Sequence, residues 1–228
     1  MIDIVLVHGL WHGAWAWAAV RRRLDEAGMH SVAVELPMSS LRADADVVRA
    51  ALDAAGHPVL LVGHSYGGAV ITAAGDHSSV CRLVYIAAFQ LEVGESISRV
   101  LPERGIAPTA LGDALRFSDD GRLVSVDSST APELLYGEAA LPDEVAAALG
   151  RLRPVSRALF TTPAATVGWR SVPSTYVVCT QDRTVAPELQ RAMAERASDV
   201  VELGTGHTPL MTDPEAVARL LIQLGSLG

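Results

Sequence analysis

The stretch that decides the fold reads Pro58-Val59-Leu60-Leu61-Val62-Gly63-His64-Ser65-Tyr66-Gly67-Gly68. The apolar run at its start predicts a buried strand, and the residues after Gly68 predict a helix. Glycines on both sides of Ser65 let neighbouring backbone approach closely and tolerate the strained dihedral angles of a sharp strand-to-helix turn. Such a turn would expose and immobilise the serine hydroxyl. The pattern predicts a nucleophile, although a glycine-rich turn with an incidental serine would read the same way.

The composition is that of a folded chain with one domain, or with a core and a small insertion. Of the 228 residues 50% are hydrophobic and 19% are charged, and the mean hydropathy is +0.28. These values argue against disorder. No apolar stretch approaches the ~18 residues that a membrane span needs, so we expect no membrane partner. Residues 1–7 resemble a strand rather than a signal peptide, which predicts a cytoplasmic protein.

Charge and residue usage exclude several function classes. The net charge is −8 and the only basic cluster is residues 21–23, so we expect no nucleic-acid partner. All 18 basic residues are arginine, which excludes lysine Schiff-base chemistry. Cys81 and Cys179 lie in apolar, strand-like runs and are predicted to be buried free thiols. Neither they nor the histidines show zinc spacing, so no metal and no cofactor are expected.

Strand-like and helix-like segments alternate along most of the chain. The predicted strands cover residues 2–7, 30–34, 58–62, 82–87, 175–179 and 200–203. The predicted helices cover residues 14–27, 43–55, the stretch after Ser65, 187–197 and 214–224. Nearly continuous apolar strands separated by helices are what a parallel sheet buried on both faces requires.

This alternation breaks after Phe89, which predicts an inserted cap. We assign residues 1–90 and 171–228 to an α/β core, and residues 91–170 to a cap or lid insertion. Within the insertion, residues 115–118 and 122–126 flank Asp119-Asp120-Gly121, which is a hairpin signal. A short alanine-rich helix is predicted from Leu141 to about Leu149.

A serine nucleophile needs a base and an acid. His207 lies in a glycine-rich loop between the last predicted strand and helix, and Asp182 follows the strand that ends at Cys179. The carboxyl ends of parallel strands are where an α/β sheet builds its site, and the order Ser, Asp, His fits this arrangement. A turn histidine at position 207 and an Asx-type turn residue at position 182 are the structural alternatives.

The oxyanion of an ester-type transition state needs two aligned N–H donors. We expect one from Tyr66, which follows the nucleophile, and the other from Leu10, in the turn after the first strand. His8 and His12 flank this turn, and we expect them to hold it by hydrogen bonds rather than to act as bases. His30, His57 and His77 are predicted to lie at the surface.

Four motifs in this order resemble one group within the α/β-hydrolases. They are Val7-His8-Gly9-Leu10-Trp11-His12-Gly13-Ala14-Trp15, Gly63-His64-Ser65-Tyr66-Gly67-Gly68, Cys179-Thr180-Gln181-Asp182 and Gly206-His207-Thr208-Pro209. The group comprises the plant methylesterases, the hydroxynitrile lyases and bacterial carboxylesterases such as the pyrethroid hydrolases. The resemblance spans essentially the whole chain and is weaker in the cap.

This resemblance implies an α/β-hydrolase fold with a mostly parallel six-stranded sheet in the order 2-1-3-4-5-6. The first and third strands would then be neighbours, which would bring Leu10 and Ser65 into one crevice. By the same resemblance Ser65 would be the nucleophile, Asp182 the acid and His207 the base, with Leu10 and Tyr66 as oxyanion donors.

Two positions depart from the lyase branch of that group. The lyases carry threonine where Gly9 stands and lysine where Thr208 follows the histidine, and the lysine stabilises a cyanide leaving group. This chain contains no lysine. Cyanohydrin cleavage is therefore disfavoured.

The leading hypothesis is a serine carboxylic ester hydrolase that acts on a small hydrophobic or aromatic ester through an acyl-enzyme. The aromatic residues predicted to line its pocket, or else to be ordinary cap core, are Trp11, Phe89, Tyr136, Phe160 and Trp169. Two alternatives stay open: a biosynthetic lyase, cyclase or dehydratase with the same site, and a ligand receptor on the hydrolase fold. The sequence also leaves a homodimer open.

Overall fold

Strands and helices alternate in the computed structural model, which describes residues 2–137 and 141–226. The strands are β1 (Asp3–Val7), β2 (Ser31–Val34), β3 (Val59–His64), β4 (Val80–Ile86), β5 (Leu115–Phe117), β6 (Leu123–Val126), β7 (Val155–Ser156), β8 (Ser174–Cys179) and β9 (Asp199–Leu203). The α-helices are α1 (Ala18–Glu26), α2 (Leu41–Ala54), α3 (Gly67–Ala74), α4 (Ile97–Glu103), α5 (Leu111–Ala114), α6 (Pro142–Leu149), α7 (Ala158–Thr161), α8 (Pro187–Ala194), α9 (Pro209–Thr212) and α10 (Pro214–Gly225). Shorter 3₁₀ turns cover Ala14–Trp17 and Gly168–Arg170, and Pro132–Tyr136 is a π-helical turn.

The main sheet has six parallel strands in the order β2-β1-β3-β4-β8-β9. This confirms the predicted fold class and the predicted order 2-1-3-4-5-6. Val7, the last residue of β1, pairs with Val34 on one side and with Gly63 on the other. Because β1 and β3 end level with each other, the turn after Val7 lies beside the turn that holds Ser65.

Both faces of the main sheet are buried, which explains the apolar runs in its central strands. Side chains of a strand point alternately to opposite faces. Accordingly, Val5 and Val7 belong to one hydrophobic cluster, whereas Ile4 and Leu6 belong to a second cluster on the other face. Every residue of β1 and of β3 is buried. Helices cover both faces, as a parallel sheet requires.

Helix boundaries follow local capping chemistry. Helix α2 begins at Leu41, two residues before the predicted start, because the Ser40 hydroxyl accepts a hydrogen bond from the Ala43 N–H at 3.2 Å. At the start of α10, Asp213 accepts from the Ala216 N–H at 3.1 Å. The predicted helix 14–27 divides into a 3₁₀ turn followed by α1.

Residues 91–170 contain a second, three-stranded antiparallel sheet in the order β5-β6-β7. Its first two strands form a hairpin in which Phe117 pairs with Val124. This sheet contacts the turn after β1 (residues 8–13), called the oxyanion turn after the role predicted for Leu10, because the Trp11 indole donates to the Val124 carbonyl at 3.1 Å. The Arg153 N–H also donates to the Trp11 carbonyl at 3.0 Å. Residues of this segment therefore contact the turn after β1, at the same end of the main sheet as Ser65.

The prediction that both cysteines are buried is wrong for Cys81. Both are free thiols, and Cys179 is buried, but Cys81 is exposed. The pairing of β3 with β4 shifts between Val59 and Leu60, so that Val80 and Arg82 have partners while Cys81 falls in the irregularity. A bulge of this kind redirects a side chain from its regular face, and the apolar run in the sequence does not reveal it.

Gly67 lies so close to the backbone of β1 that we expect any side chain there to lower the stability of the protein. A Cβ atom added at Gly67 would lie 2.6 Å from the Val7 carbonyl oxygen, whereas one added at Gly56 would meet nothing within 4 Å. We expect Gly67→Ala to lower the free energy of unfolding by about 3 kcal/mol, because backbone atoms cannot move aside as a side chain can. Gly56→Ala should change it by less than about 1 kcal/mol. Urea unfolding followed by circular dichroism measures both, and equal midpoints would contradict the prediction.

Candidate active site

Ser65 occupies a strained turn between β3 and α3. Its φ is +54°, in the left-handed region that a residue with a side chain seldom adopts. The Ser65 N–H donates to the Ile86 carbonyl at 3.1 Å, and the Ser65 carbonyl accepts from the N–H groups of Gly68 at 2.9 Å and Phe89 at 3.1 Å. These bonds hold the strained residue from both sides. Its hydroxyl-bearing side chain is buried, since the residue is only 6% exposed.

The structure brings Ser65, His207 and Asp182 into one hydrogen-bonded series. The His207 Nε2 lies 3.0 Å from the Ser65 Oγ, and the His207 Nδ1 lies 2.7 Å from the Asp182 Oδ2. All three residues are buried. Since Nδ1–H donates to the carboxylate, Nε2 carries the lone pair that faces the serine hydroxyl. This arrangement can remove a proton from the serine.

Asp182 also accepts hydrogen bonds within its own turn. The predicted role as the acid and the alternative of an Asx-type turn residue are therefore compatible. Its Oδ1 accepts from the N–H groups of Thr184 at 2.7 Å and Val185 at 2.9 Å. Its Oδ2, which faces His207, also accepts from the Gln190 side chain at 2.8 Å. A buried carboxylate needs such partners, because an unpaired buried charge is costly.

Sequence reasoning missed Gln190, which lies on α8. Its amide oxygen accepts from the Cys179 N–H at 2.8 Å while its amide nitrogen donates to Asp182. Gln190 is fully buried next to Leu189 on the apolar side of an amphipathic helix. A polar residue on the buried face of a helix is the signal that could have identified it, because such a residue needs an internal partner.

The oxyanion turn approaches the nucleophile closely. A Cβ atom added at Gly9 would lie 2.9 Å from the Ser65 Cβ, so only glycine fits there. The N–H groups of Leu10 and Tyr66 make no hydrogen bond to any residue that the structure describes, although both residues are buried. Buried N–H groups without partners are rare in proteins. Two at one site are suited to accept a ligand oxygen.

His8 and His12 hold the oxyanion turn, as the sequence analysis expects. The His8 Nδ1–H donates to the Gly9 carbonyl at 2.9 Å, and its Nε2 accepts from the Leu36 N–H at 3.1 Å. The His12 Nδ1–H donates to the Leu10 carbonyl at 2.9 Å, and its Nε2 lies 3.0 Å from the Tyr136 hydroxyl. Each of these nitrogens therefore has a partner, which leaves neither ring free to serve as a base for Ser65.

His64 connects the Ser65 turn to the His207 loop. Its Nε2–H donates to the His207 carbonyl at 2.8 Å, and the two ring centroids are 4.9 Å apart. Burial lowers the pKa of His8 to about 4 and that of His12 to about 3, and it lowers the pKa of His64 well below its ordinary value. The site thus contains several neutral imidazoles at neutral pH.

The predicted pocket aromatics divide into two groups. Trp11 and Phe160 have ring centroids 6.3 Å apart, Tyr136 contacts His12, and Phe89 donates its N–H to the Ser65 carbonyl. Tyr136 and the Phe89 backbone therefore contact residues of the site, and Phe160 lies next to Trp11 in the turn after β1. The structure does not bring Trp169 to the site.

Trp169 lies at the far end of the nucleophile helix. Its indole donates to the Leu91 carbonyl at 2.9 Å, and the Arg196 guanidinium lies 5.9 Å from its ring centroid. The preceding residue, Gly168, packs against Gly75, which follows the last residue of α3. Helix α3 has eight residues and starts next to Ser65, so this contact lies about 12 Å further along. Trp169 is partly buried and packs against the larger hydrophobic cluster, and it does not line the cavity that reaches His207.

A cavity of about 490 Å³ lies next to the base. Tyr136, Gln181, Arg183 and the loop 204–207 are among the residues that line it. The cavity reaches the His207 imidazole, but its lining does not include Ser65. Within residues 2–137 and 141–226, no group of three or more histidine, cysteine or acidic side chains could hold a metal ion. The same residues contain no helix that is both long and apolar enough to cross a membrane.

Comparison with known proteins relates the whole chain to one family. A model of the alpha/beta hydrolase family matches residues 4–220. The chain is 29% identical over 243 residues to the alpha/beta hydrolase nvfD of Aspergillus novofumigatus, covering 96% of this chain and 94% of that one. It is 28% identical over 255 residues to Methylesterase 2 of Arabidopsis thaliana, with the same coverage. A pyrethroid hydrolase from Sphingobium faniae has the same fold, with a TM-score of 0.84, 24% identity, and coverage of 99% and 98%.

The buried neutral histidines make stability depend on pH. Between a folded-state pKa of 3 to 4 and an unfolded value near 6.5, the unfolded chain binds protons that the folded protein does not. The free energy of unfolding should therefore fall as the pH is lowered from about 6.5 toward 4. The slope is up to about 1.4 kcal/mol per pH unit for each histidine. Burial raises the pKa of Asp44, which offsets part of the slope.

Urea unfolding at several pH values between 4.5 and 6.5 measures this slope. His12→Gln should reduce it, because glutamine does not titrate and can still bond to Tyr136. His57→Gln is the matched control, since it makes the same substitution at a histidine whose side chain is 48% exposed rather than buried. A stability that stays constant over this range would contradict the prediction.

Proposed function

The chain belongs to the α/β hydrolase family, and on that premise we propose that it is a serine carboxylic ester hydrolase. One observation carries this proposal: a hydrogen-bonded series from Ser65 through His207 to Asp182 lies next to two buried residues, Leu10 and Tyr66, whose N–H groups have no partner among the described residues. Nucleophile, base, acid and oxyanion donors are the parts that acyl transfer requires.

In the proposed acylation step, His207 Nε2 takes the Ser65 proton as Oγ attacks the ester carbonyl carbon. The carbonyl π electrons move to oxygen, and the N–H groups of Leu10 and Tyr66 bind the resulting oxyanion. The tetrahedral intermediate collapses, the bond to the alkoxide breaks, and the imidazolium protonates the leaving alcohol. An acyl group then remains on Ser65.

Deacylation repeats these steps with water as the nucleophile. His207 removes a proton from water, the hydroxide attacks the acyl carbon, and Ser65 leaves with the proton that the imidazolium returns. The carboxylate of Asp182 stabilises the imidazolium in both halves and fixes its tautomer. Each oxyanion donor is worth about 3–4 kcal/mol of transition-state stabilisation in enzymes of this kind.

The relatives and the surroundings of Ser65 support an ester substrate that is small and hydrophobic or aromatic. A relative named as a methylesterase is similar over nearly the whole chain, which supports ester hydrolysis. Tyr136 lies 3.0 Å from His12 and lines the cavity next to His207, Trp11 is close to Phe160, and Ser65 itself is only 6% exposed. Aromatic rings near a buried serine support apolar acyl or alcohol groups.

Location and assembly are part of the same proposal. Two free cysteines, one of them exposed, are compatible with a reducing cytoplasmic environment. The sequence leaves a homodimer open, and light scattering of the purified protein would test for it.

Ser65→Ala should abolish ester hydrolysis. The variant lacks the attacking oxygen, so turnover of p-nitrophenyl acetate should fall at least about 10³-fold, as in other enzymes with this site. Ser171→Ala, which changes an exposed serine near the start of β8, should keep the wild-type rate. Initial rates on folded protein measure both. A Ser65→Ala rate close to that of the wild type would show that another group performs the reaction.

Hydrolysis in H₂¹⁸O separates the proposed reaction from the alternatives. An acyl-enzyme hydrolysed by water should yield a carboxylic acid that contains one ¹⁸O and an alcohol that contains none, which mass spectrometry of both products detects. A lyase or cyclase would release no carboxylate from a simple ester. A ligand receptor would not sustain turnover at ~1 s⁻¹ or faster, which is the ordinary range of enzymes.

A further inference from the structure

Asp44 is a buried carboxylate outside the Ser65–His207–Asp182 series. It lies in the first turn of α2 and is completely inaccessible to solvent. Its Oδ2 accepts from the Tyr66 hydroxyl at 2.6 Å, and its Oδ1 accepts from the Met38 N–H at 2.8 Å. Burying a carboxylate costs free energy, so we ask what the contacts of Asp44 to Tyr66 and Met38 contribute.

The contact to Tyr66 anchors the residue that follows the nucleophile. The Tyr66 ring is fully buried, and burial together with the Asp44 carboxylate raises the pKa of its hydroxyl. The backbone N–H of the same residue is one of the two N–H groups without partners at the site. Asp44 therefore holds the side chain of Tyr66, while the backbone N–H of the same residue is the proposed oxyanion donor.

The contact to Met38 leads to the second donor. Met38 has a φ of +58° and lies in the loop after β2, where the Leu36 N–H donates to His8 Nε2. His8 in turn donates to the Gly9 carbonyl, and Leu10 follows Gly9. One carboxylate is thus connected to Tyr66 directly and to the Leu10 turn through Met38, the loop and His8.

We propose that Asp44 is a positioning residue that sets the separation of the two oxyanion donors, the N–H groups of Leu10 and Tyr66. This inference rests on the proposed function. Oxyanion donors act only when they lie about 2.7–3.1 Å from the oxygen, so a small displacement of one donor weakens its bond in the transition state. Substrate binding in the ground state depends much less on that distance, so the effect falls on kcat rather than on KM.

Tyr66→Phe tests the anchor, because it removes the hydroxyl but keeps the backbone N–H. We expect kcat for p-nitrophenyl acetate to fall at least fivefold, with KM within twofold of the wild type. The inhibition constant of a trifluoromethyl ketone, to which Ser65 would add to form a tetrahedral oxyanion, should rise at least fivefold. Tyr85→Phe is the matched control, because it removes another buried tyrosine hydroxyl, which lies 3.0 Å from Thr72, and should change each value less than twofold.

Asp44→Asn tests the carboxylate itself. Its amide oxygen can accept from Met38 while its amide nitrogen donates to the Tyr66 oxygen, so kcat should stay within threefold of the wild type. Asp44→Asn/Tyr66→Phe loses the anchor without leaving a buried unpaired charge, and it should show the same loss as Tyr66→Phe. This double variant replaces Tyr66→Phe in the comparison if the single variant does not fold.

Smaller losses than fivefold in the variants without the anchor, or an equal loss in Tyr85→Phe, would overturn the inference. A loss in Asp44→Asn as large as that in Tyr66→Phe would also overturn it. Failure of the proposed function has a different signature, because the wild type itself would then show no hydrolysis that depends on Ser65.

Discussion

The left-handed backbone of Ser65 is the constraint on which the rest of the site depends. A residue with a side chain adopts this conformation only when its surroundings impose it. Here the surroundings are backbone: a Cβ atom added at Gly63 would lie 2.5 Å from the Gly67 carbonyl oxygen, and Gly67 itself lies against Val7. The turn can therefore pack directly on the end of β1. That packing places the Leu10 turn next to the serine.

Several buried polar side chains around this turn are paired, whereas the His64 Nδ1 and the Thr208 hydroxyl have no partner among the described residues. Asp182 has four hydrogen-bond partners, and His8 and His12 each have two. Pairing removes most of the cost of burying such groups. The N–H groups of Leu10 and Tyr66 have no partner among the described residues, and under the proposed function they are ready to bind an oxyanion without rearrangement. The buried imidazoles of His8, His12 and His64 are neutral at neutral pH, so they supply hydrogen bonds without adding positive charge.

The segment between β4 and β8 contributes to the site by contact rather than by supplying an acid or a base. Trp11 donates to Val124 of the small sheet, and Tyr136 lies within hydrogen-bond distance of His12. Both contacts end on the oxyanion turn. Substitutions in this segment can therefore alter the geometry of the donors as well as the shape of the pocket.

The sequence by itself determined the alternation of strands and helices and proposed Ser65, His207 and Asp182, because apolar periodicity and glycine-bounded turns are local signals. The order of the strands was implied only by the resemblance to the α/β-hydrolases. The structure brings these three side chains within hydrogen-bond distance of one another. Only the tertiary structure decided that the Trp169 indole bonds to Leu91 and that a bulge exposes Cys81. It also decided that Gln190 bonds to Asp182 and that Asp44 bonds to Tyr66. Each of these depends on which side chains meet after the helices pack on the sheet. Asp44 and Tyr66 are 22 residues apart, and no local pattern records that they share a hydrogen bond.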